Sequence, residues 1–398
     1  MVYNTPIDTT EQNLMANYKE VFEKVFDIFV ATPQYKVMKE TVEDSPWHRE
    51  DNVSVHTMMV VEEFLARSPK VWTLAWFAGA CAALFHDVGK PKCLTWKFKE
   101  GRGDYKAFYG HEKESARVFI DMVFRIPQLK EIFDYMGDNT LFITAWMIEH
   151  HLPWQIKDPK KRDALMKTCS RYLGGVEVFT TLLLSDTFGR ISDDQDEKRL
   201  NAQIWVDEFH AEFSGKKDYF AFLDREAVKI ANDDDCNRKK VAYFLIGTSG
   251  SGKTTVRNQI VAEEEGHPVG QFSLDDLRHE LYGEDYGVAF QKSCQDKHFK
   301  AIAKERFVSS IRENKGNVYI HDNTSRTKRS RAMDIIELQN RGYYVIAVVM
   351  VTSLKTALER QYTRSDKCVP DDAVTAQFFS VELPSIGEFD DIIIQYGE

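Results

Sequence analysis

The sequence has no CxxC pair, no Pro-rich or Gly/Ser-rich low-complexity stretch, no internal repeat and no long apolar run. Its six cysteines, Cys81, Cys93, Cys169, Cys236, Cys294 and Cys368, are scattered, which argues against a zinc-cysteine site and against a disulfide framework and predicts reduced thiols. The longest strongly apolar stretch, Val345 to Val351, is far short of the ~20 residues that span a bilayer, so no membrane association is expected. The opening segment MVYNTPIDTTEQN lacks a basic stretch followed by an apolar one, and a cytoplasmic location is the expectation. Positive charge is also in deficit: the net charge is -10, so any contact with a polyanion has to be made by local basic clusters against the overall field.

What is present describes an ordinary globular chain. Hydrophobic residues at 43% and charged residues at 29% exclude a disordered, collagen-like or fibrous protein. A length of 398 residues exceeds the ~250 to 300 at which a single core stops growing, which predicts a multidomain protein. From residue 12 to about 190 apolar residues recur at i, i+3, i+4 steps, as in HTMMVVEEFLARS and EVFTTLLLSD, so this part is expected to be all-α. Two amphipathic helices are expected around Trp205 to Phe213 and Tyr219 to Ile230, between the acidic patches Asp193 to Glu197 and Asp233 to Asp235. After residue 240, β-branched or aromatic runs at 241–246, 270–274, 317–321 and 343–351 alternate with helical stretches Thr254 to Glu264, Val288 to Asn314 and Lys328 to Asn340. That alternation predicts an α/β domain with a parallel sheet. The expected division is a helical domain over 1–200, a helical connector over 201–238 and the α/β domain over 239–398.

The most specific signal is the loop that follows the first of these strands, Gly247-Thr248-Ser249-Gly250-Ser251-Gly252-Lys253-Thr254. It is GxxxxGK[ST] in its strand-loop-helix context, a P-loop for ATP. Backbone N–H groups turn inward on a phosphate, the helix N-terminus adds partial positive charge, Lys253 reaches the β/γ-phosphates and the Thr254 hydroxyl holds Mg²⁺. The strand at 270–274 runs into Asp275-Asp276-Leu277-Arg278, which places a carboxylate at the crevice of an open α/β sheet. Asp275 can accept a proton there from an attacking hydroxyl; the alternative is that the DD pair merely caps the following helix, and one Asp can also cap while the other catalyses. Asp322, in His321-Asp322-Asn323-Thr324, stands at another strand end and suits a Mg²⁺-bound water. Four basic residues, Arg326, Lys328, Arg329 and Arg331, follow, fitting a solvated helix start as well as a phosphate contact. Arg360 and Arg364 stand one helical turn apart, where they can close over a transferring phosphoryl group.

GTSGSGKT, SLDDLR, VYIHDNT and LERQYTRSDKCVP together resemble the polynucleotide 5′-kinases of phage and bacterial RNA-repair systems, over about Tyr243 to Phe379. The resemblance implies Lys253 and Thr254 as the phosphate-loop pair, Asp275 as general base, Arg278 as the acceptor-phosphate contact and Asp322 as an essential acidic position. Arg360 and Arg364 become the lid arginines. Small-molecule P-loop kinases share much of this pattern.

The helical part carries a second chemistry. His56 lies at a helix start, His86-Asp87 closes a helix in ALFHDVGKP, His111 begins GHEKESA, His150-His151 ends IEHH, and Asp186 sits in LLLSDTFGR. Imidazole and carboxylate are ligands of divalent transition ions. The order H…HD…H…HH…D resembles the HD phosphohydrolase superfamily over about residues 45 to 190. HDVGKP followed by GHExxSA is especially similar to HD domains attached to tRNA-processing enzymes. The resemblance implies that His56, His86, Asp87 and Asp186 bind one metal, and that Asp87 bridges to a second held by His111 and His150 or His151, with His150 slightly favoured. Mn²⁺, Co²⁺, Ni²⁺, Fe²⁺ or Zn²⁺ would suit such a set. Lys90 and Lys113 are candidates to neutralise substrate phosphate.

An HD domain followed by a P-loop polynucleotide kinase resembles bifunctional end-healing enzymes of the HD-Pnk type. The expected activity is ATP-dependent 5′-phosphorylation joined to removal of a 3′-phosphate or opening of a 2′,3′-cyclic phosphate, on nucleic-acid ends with RNA favoured and an RNA ligase acting next. The rival enzyme reading is an HD nucleotidase fused to a nucleoside or small-metabolite kinase, and the non-enzymatic one is an ATP-regulated sensor.

Overall fold

A computed structural model describes residues 18–43, 48–100, 103–153, 156–231, 240–264, 266–283, 285–364 and 369–397. Asp233 to Asp235, Cys236, and the Ser365 to Cys368 part of the arginine-rich stretch lie outside the described residues. The chain divides into a unit ending at Asp224 and a unit beginning at Arg225.

The first unit is built around the helix Leu74–Phe85, whose residues from Phe77 onward are all buried. A helix that is apolar all round has no solvent face to offer and must be enclosed. Val53–Arg67, Asp138–Glu149 and Glu177–Phe188 enclose it. Local chemistry sets the helix starts: the Asn52 side chain accepts from Ser54 N and Val55 N, and Asp158 accepts from Lys160 N, with Pro159 in the first turn of the helix it starts, where no N–H is missed. The unit is not all-α. β1, Thr95–Lys99, pairs antiparallel with β2, Gly103–Ala107. Lysines alternating with Trp96 and Phe98 give TWKFK the period of two that marks a strand, and the hairpin sits between two of the histidine motifs.

The two helices expected near 205–213 and 219–230 are one helix, Gln195–Ala231. Gly215 is the weakest helix former between the two stretches, and one interior glycine costs only ~1 kcal/mol.

In the second unit β3, Val241–Ile246, β4, Val269–Ser273, β5, Val318–Asp322, β6, Tyr344–Val351, and β7, Asp391–Tyr396, form a sheet in the order β4-β5-β3-β6-β7. All four pairings are parallel. Leu245, Ile320, Val348 and Ile393 meet Val256 and Ile260 of the helix Lys253–Glu263 in the core. Helices Lys328–Asn340 and Leu354–Thr363 complete the crossovers. The expected helix over Val288 to Asn314 is two, Tyr286–Gln295 and Phe299–Glu313. Asp296 breaks it: its backbone is extended and its Oδ1 accepts from His298 N at 2.7 Å, a local bond that competes with helical pairing. β7 was not anticipated.

Candidate functional site

The second unit holds a cleft of about 800 Å³ at the carboxyl ends of the strands. β3 delivers the P-loop, and Gly250 (φ +83°) turns it so closely that a Cβ would lie 2.4 Å from Ala357 O and Gln361 Nε2. Gly252 (φ +97°) is left-handed too; both positions favour glycine. Lys253 Nζ reaches back to Thr248 O at 2.6 Å and Gly247 O at 3.0 Å. Ser249, Thr254, Asp275, Arg278, Asp322, Arg360 and Arg364 all border the same cleft.

Neither Asp of the DD pair caps its helix. Ser273 does so, its Oγ accepting from Asp276 N. Asp275 is thereby free of capping duty, and its Oδ1 takes Arg278 Nη1 at 2.6 Å and the Tyr286 hydroxyl at 3.4 Å. Burial and the adjacent Asp275 push the Tyr286 hydroxyl up to about 12, so it remains a donor at neutral pH. Arg278 is itself fixed by Ser293 Oγ at 3.1 Å and by the rings of Phe290 and Phe299. Asp322 Oδ2 lies 3.1 Å from Arg257 Nη1, which also reaches Asp276 Oδ2 at 3.3 Å. Arg257, four residues beyond Lys253 in GKTTVR, was missed in the sequence. Asn323 Oδ1 accepts from Leu274 N at 2.8 Å and ties the end of β5 to the Asp275 helix.

The basic run separates by residue. Arg331 is fully buried, paired with Glu388 and donating to Ser325 O and Glu382 O, which makes it structural. Arg326 borders the cleft. Arg360 Nη1 donates to Gly250 O at 3.2 Å. Arg364 is the extended residue just past the helix Leu354–Thr363, not a member of it.

In the first unit His56, His86, Asp87, His111, His151 and Asp186 converge. Asp87 is the hinge of the cluster: Oδ2 is 3.1 Å from His86 Nε2 and 3.4 Å from His56 Nε2, and Oδ1 is 3.2 Å from His111 Nε2. His56 Nε2 also meets Asp186 Oδ1 at 3.1 Å. Three groups have donor atoms close enough to hold a metal ion: His48, Glu50, His56; His56, His86, Asp186; and Asp87, His111, His151. His150 is not among them. Its Nδ1 bonds Trp146 O at 2.8 Å and its ring stacks on Trp146, whereas His151 Nε2 stands 3.3 Å from His111 Nε2. The slight preference for His150 is therefore corrected in favour of His151, because the helix ends at Glu149 and the chain turns the second histidine inward.

The tautomers follow from backbone contacts. His111 Nδ1 faces Phe108 O at 2.7 Å, His151 Nδ1 faces Ile148 O at 2.7 Å, and His86 Nδ1 faces Ala83 O at 2.8 Å. A carbonyl only accepts, so each Nδ1 carries a proton and each ring directs its Nε2 at the cluster. Nε2 of His111 and Nε2 of His151 stand 3.3 Å apart beside the Asp87 carboxylate, an arrangement that a cation among them would satisfy. Donors ~2.1 Å from one ion are ~3.0 to 3.4 Å apart at tetrahedral or octahedral angles, which is the spacing found. Burial lowers His151 to about 3, His86 and His111 adding to the effect. For His56 burial works against protonation, yet its hydrogen bonds to Asp186 and Glu50 raise it to about 9.

Lys90 was expected at a substrate phosphate. It is instead 3% exposed, with Nζ 2.6 Å from Glu43 Oε1 and 2.7 Å from Asp87 Oδ2. Burial opposes its charge, but Asp87 and Glu43 hold its ionisation above the usual lysine range. Arg190 Nη2 clamps Asp186 at 3.1 and 3.2 Å. Glu43, Glu50 and Arg190 were missed; Arg190 alone had a signal, four residues beyond Asp186.

The second unit is thus a P-loop domain in fold and loop geometry. Residues 243–384 match the family model described as an AAA domain. No curated protein matches. Among solved structures, a gluconokinase from Sinorhizobium meliloti 1021 is similar at 16% identity, over 40% of this chain and 83% of that one, with a TM-score of 0.29. Among the described residues no helix is long and apolar enough to cross a membrane.

Proposed function

We propose that the chain heals nucleic-acid ends, phosphorylating a 5′-hydroxyl at the P-loop cleft and hydrolysing a 3′-phosphate or 2′,3′-cyclic phosphate at the imidazole–carboxylate cluster. The observation that carries this reading is the Asp275–Arg278 pair facing the P-loop across one cleft. A carboxylate suited to take a hydroxyl proton stands within one side-chain length of a guanidinium suited to a phosphate, so the acceptor that fits is a hydroxyl with a phosphodiester close by. A free nucleoside has no such second phosphate.

In the transfer, Asp275 takes the proton of the 5′-hydroxyl as its oxygen bonds to the γ-phosphorus of ATP, and the bond to the β–γ bridging oxygen breaks to release ADP. Lys253 and the P-loop amides hold the β/γ-phosphates, while Arg360 and Arg364 balance charge on the moving group. Mg²⁺, held through Thr254, would supply charge neutralisation on the same phosphates.

In the first unit His56, His86, Asp87 and Asp186 would hold one divalent transition ion, and Asp87, His111 and His151 a second. Such ions supply an activated water and charge neutralisation on the phosphate. Asp87 keeps the two ligand sets in register, Lys90 and Glu43 fix its carboxylate, and Arg190 fixes Asp186. In the hydrolysis of a 3′-phosphate a water oxygen bonds to phosphorus as the bond to the ribose 3′-oxygen breaks, and the proton that the water gives up ends on that oxygen.

γ-Labelled ATP offered in parallel to a 5′-OH oligonucleotide and to free nucleosides tests the reading. Label is expected on the oligonucleotide. Label on nucleosides alone would establish the rival, a nucleoside or small-metabolite kinase fused to a nucleotidase.

A further inference from the structure

The β1–β2 hairpin interrupts the helical unit between two parts of the imidazole–carboxylate cluster. β1 begins eight residues after Asp87 and β2 ends four before His111. Its root is anchored to the cluster: Lys90, which grips Asp87, lies under the Phe108 ring at 5.7 Å, and Phe108 O receives His111 Nδ1. Beyond the root the hairpin turns apolar rings outward. Trp96 is 65% exposed, Phe98 73% and the nearby Tyr109 70%. Rings grouped on one hairpin, rather than scattered singly, mark an interaction surface.

The register makes the arrangement specific. Trp96 pairs with Lys106 and Phe98 with Asp104, and directly paired residues of an antiparallel ladder share a face. One face thus carries Trp96, Phe98, Lys106 and Asp104, with the Lys106 ammonium 5.6 Å from the Trp96 ring and donating to Val42 O at 3.2 Å. Lys97 lies on the other face, 5.9 Å from Tyr109. Two residues on one strand face are ~6.8 Å apart, twice the ~3.4 Å rise of stacked bases, so one base fits between the two ring positions. The charge agrees. Within the two strands Lys97, Lys99 and Lys106 stand against Asp104 alone, in a chain of net charge -10.

We infer that this hairpin is a stacking platform for single-stranded polynucleotide, holding the bases upstream of a 3′ end whose phosphate enters the adjacent cluster. Stacking of a base on an aromatic ring is sequence-tolerant, and nearby lysines attend the backbone. The inference rests on the phosphoesterase reading of that cluster and adds where the rest of the substrate lies. A repair enzyme that must accept any broken end gains grip without base selection.

The test uses the full chain and the double variant Trp96→Ala, Phe98→Ala, with Tyr135→Ala, an exposed ring on the helix Pro127–Met136, as control. A fluorescent ten-nucleotide single strand ending in 3′-phosphate is bound in chelator and followed by anisotropy. Losing one stacked base weakens binding by about 5- to 150-fold, so at least a tenfold loss is expected for the double variant and none for the control. With metal restored, KM for the ten-mer should rise similarly, and turnover of a nucleoside 3′-monophosphate should stay unchanged. Lys97→Glu and Lys106→Glu should each make the salt dependence of binding shallower by about 0.7 in slope. Unchanged ten-mer affinity in the double variant overturns the inference, as does equal damage to the mononucleotide reaction. An altered oligomeric mass with unaltered ten-mer binding would overturn it in favour of a protein contact. If no 3′-phosphate is turned over by wild type, the phosphoesterase reading falls, while anisotropy still decides the hairpin.

Discussion

Lys90→Met probes the charge arithmetic of the helical unit most directly. The ammonium is buried between Glu43 Oε1 at 2.6 Å and Asp87 Oδ2 at 2.7 Å. Met keeps the stem volume and removes the charge, leaving two carboxylates in the interior without their common partner. Breaking a buried ion pair by deleting one member costs about 3 to 5 kcal/mol. Urea unfolding in chelator reads this out, and all seven tryptophans lie between Trp47 and Trp205, so their fluorescence follows this unit alone. At a slope of about 2 to 3 kcal/mol/M the midpoint should fall by roughly 1 to 2.5 M. A divalent transition ion bound at Asp87 supplies positive charge at the same carboxylate, so Mn²⁺ should recover much of the loss. Glu43→Gln combined with Lys90→Met should be less damaging than the sum of the single changes. A Lys90→Met protein within about 1 kcal/mol of wild type in chelator would refute the assignment of Lys90 as the counter-charge of Asp87.

Asp275→Asn keeps shape but loses the base, so ATP should still bind while 5′-phosphorylation falls by ~10² or more; near-normal transfer would sink the role. Asp87→Ala should abolish phosphate release and leave phosphorylation within a few-fold, measured on one oligonucleotide carrying both ends. After stripping, Mg²⁺ alone should restore phosphorylation, whereas hydrolysis should require Mn²⁺, Co²⁺ or Ni²⁺, because one donor set is oxygen and the other imidazole-rich; hydrolysis by metal-free protein would refute the metal reading. The stripped helical unit should be most stable near pH 6.5. His56, raised to about 9, contributes stability that is full below 6.5 and lost as pH rises through 9, about 3 kcal/mol in all. His151, lowered to about 3, and His48, lowered by burial to about 4, contribute stability that is present above 6.5 and lost as pH falls toward those values. A urea midpoint that is flat from pH 6 to 9 in chelator would contradict the His56 environment.

Much of the P-loop unit was legible because its chemistry is local. A buried strand, a glycine-rich loop and a helix start are consecutive in sequence, and the loop's left-handed turns at Gly250 and Gly252 leave glycine in the motif itself. The capping of the DD helix was left open by the sequence, and it falls to Ser273, two residues before Asp275, which serves as well as Asp and ends the strand. The break at Asp296 was missed for a related reason: an Asp in a helical pattern gives no sign of whether its side chain will turn on its own backbone. β1 escaped because its outward faces are lysine and aromatic, a composition that reads as surface whether it folds as strand or loop.

The cluster in the helical unit divides along a different line. His56, His86, Asp87, His111 and Asp186 could be named because their order resembles that of the HD superfamily and each stands at a helix end or on an apolar helix, where an inward polar group needs a partner. The partners that tune them could not. Glu43 meets Lys90 across 47 residues, and His56 Nδ1 meets Gly189 O across 133. No pattern along the chain encodes either contact. The choice between His150 and His151 was equally closed to spacing, for it depends on where the backbone leaves the helix after Glu149. Which nitrogen each ring turns to the cluster is set by the carbonyls of Ala83, Phe108 and Ile148, atoms every residue possesses. A sequence can nominate such side chains; only the fold decides which nitrogen each of them presents.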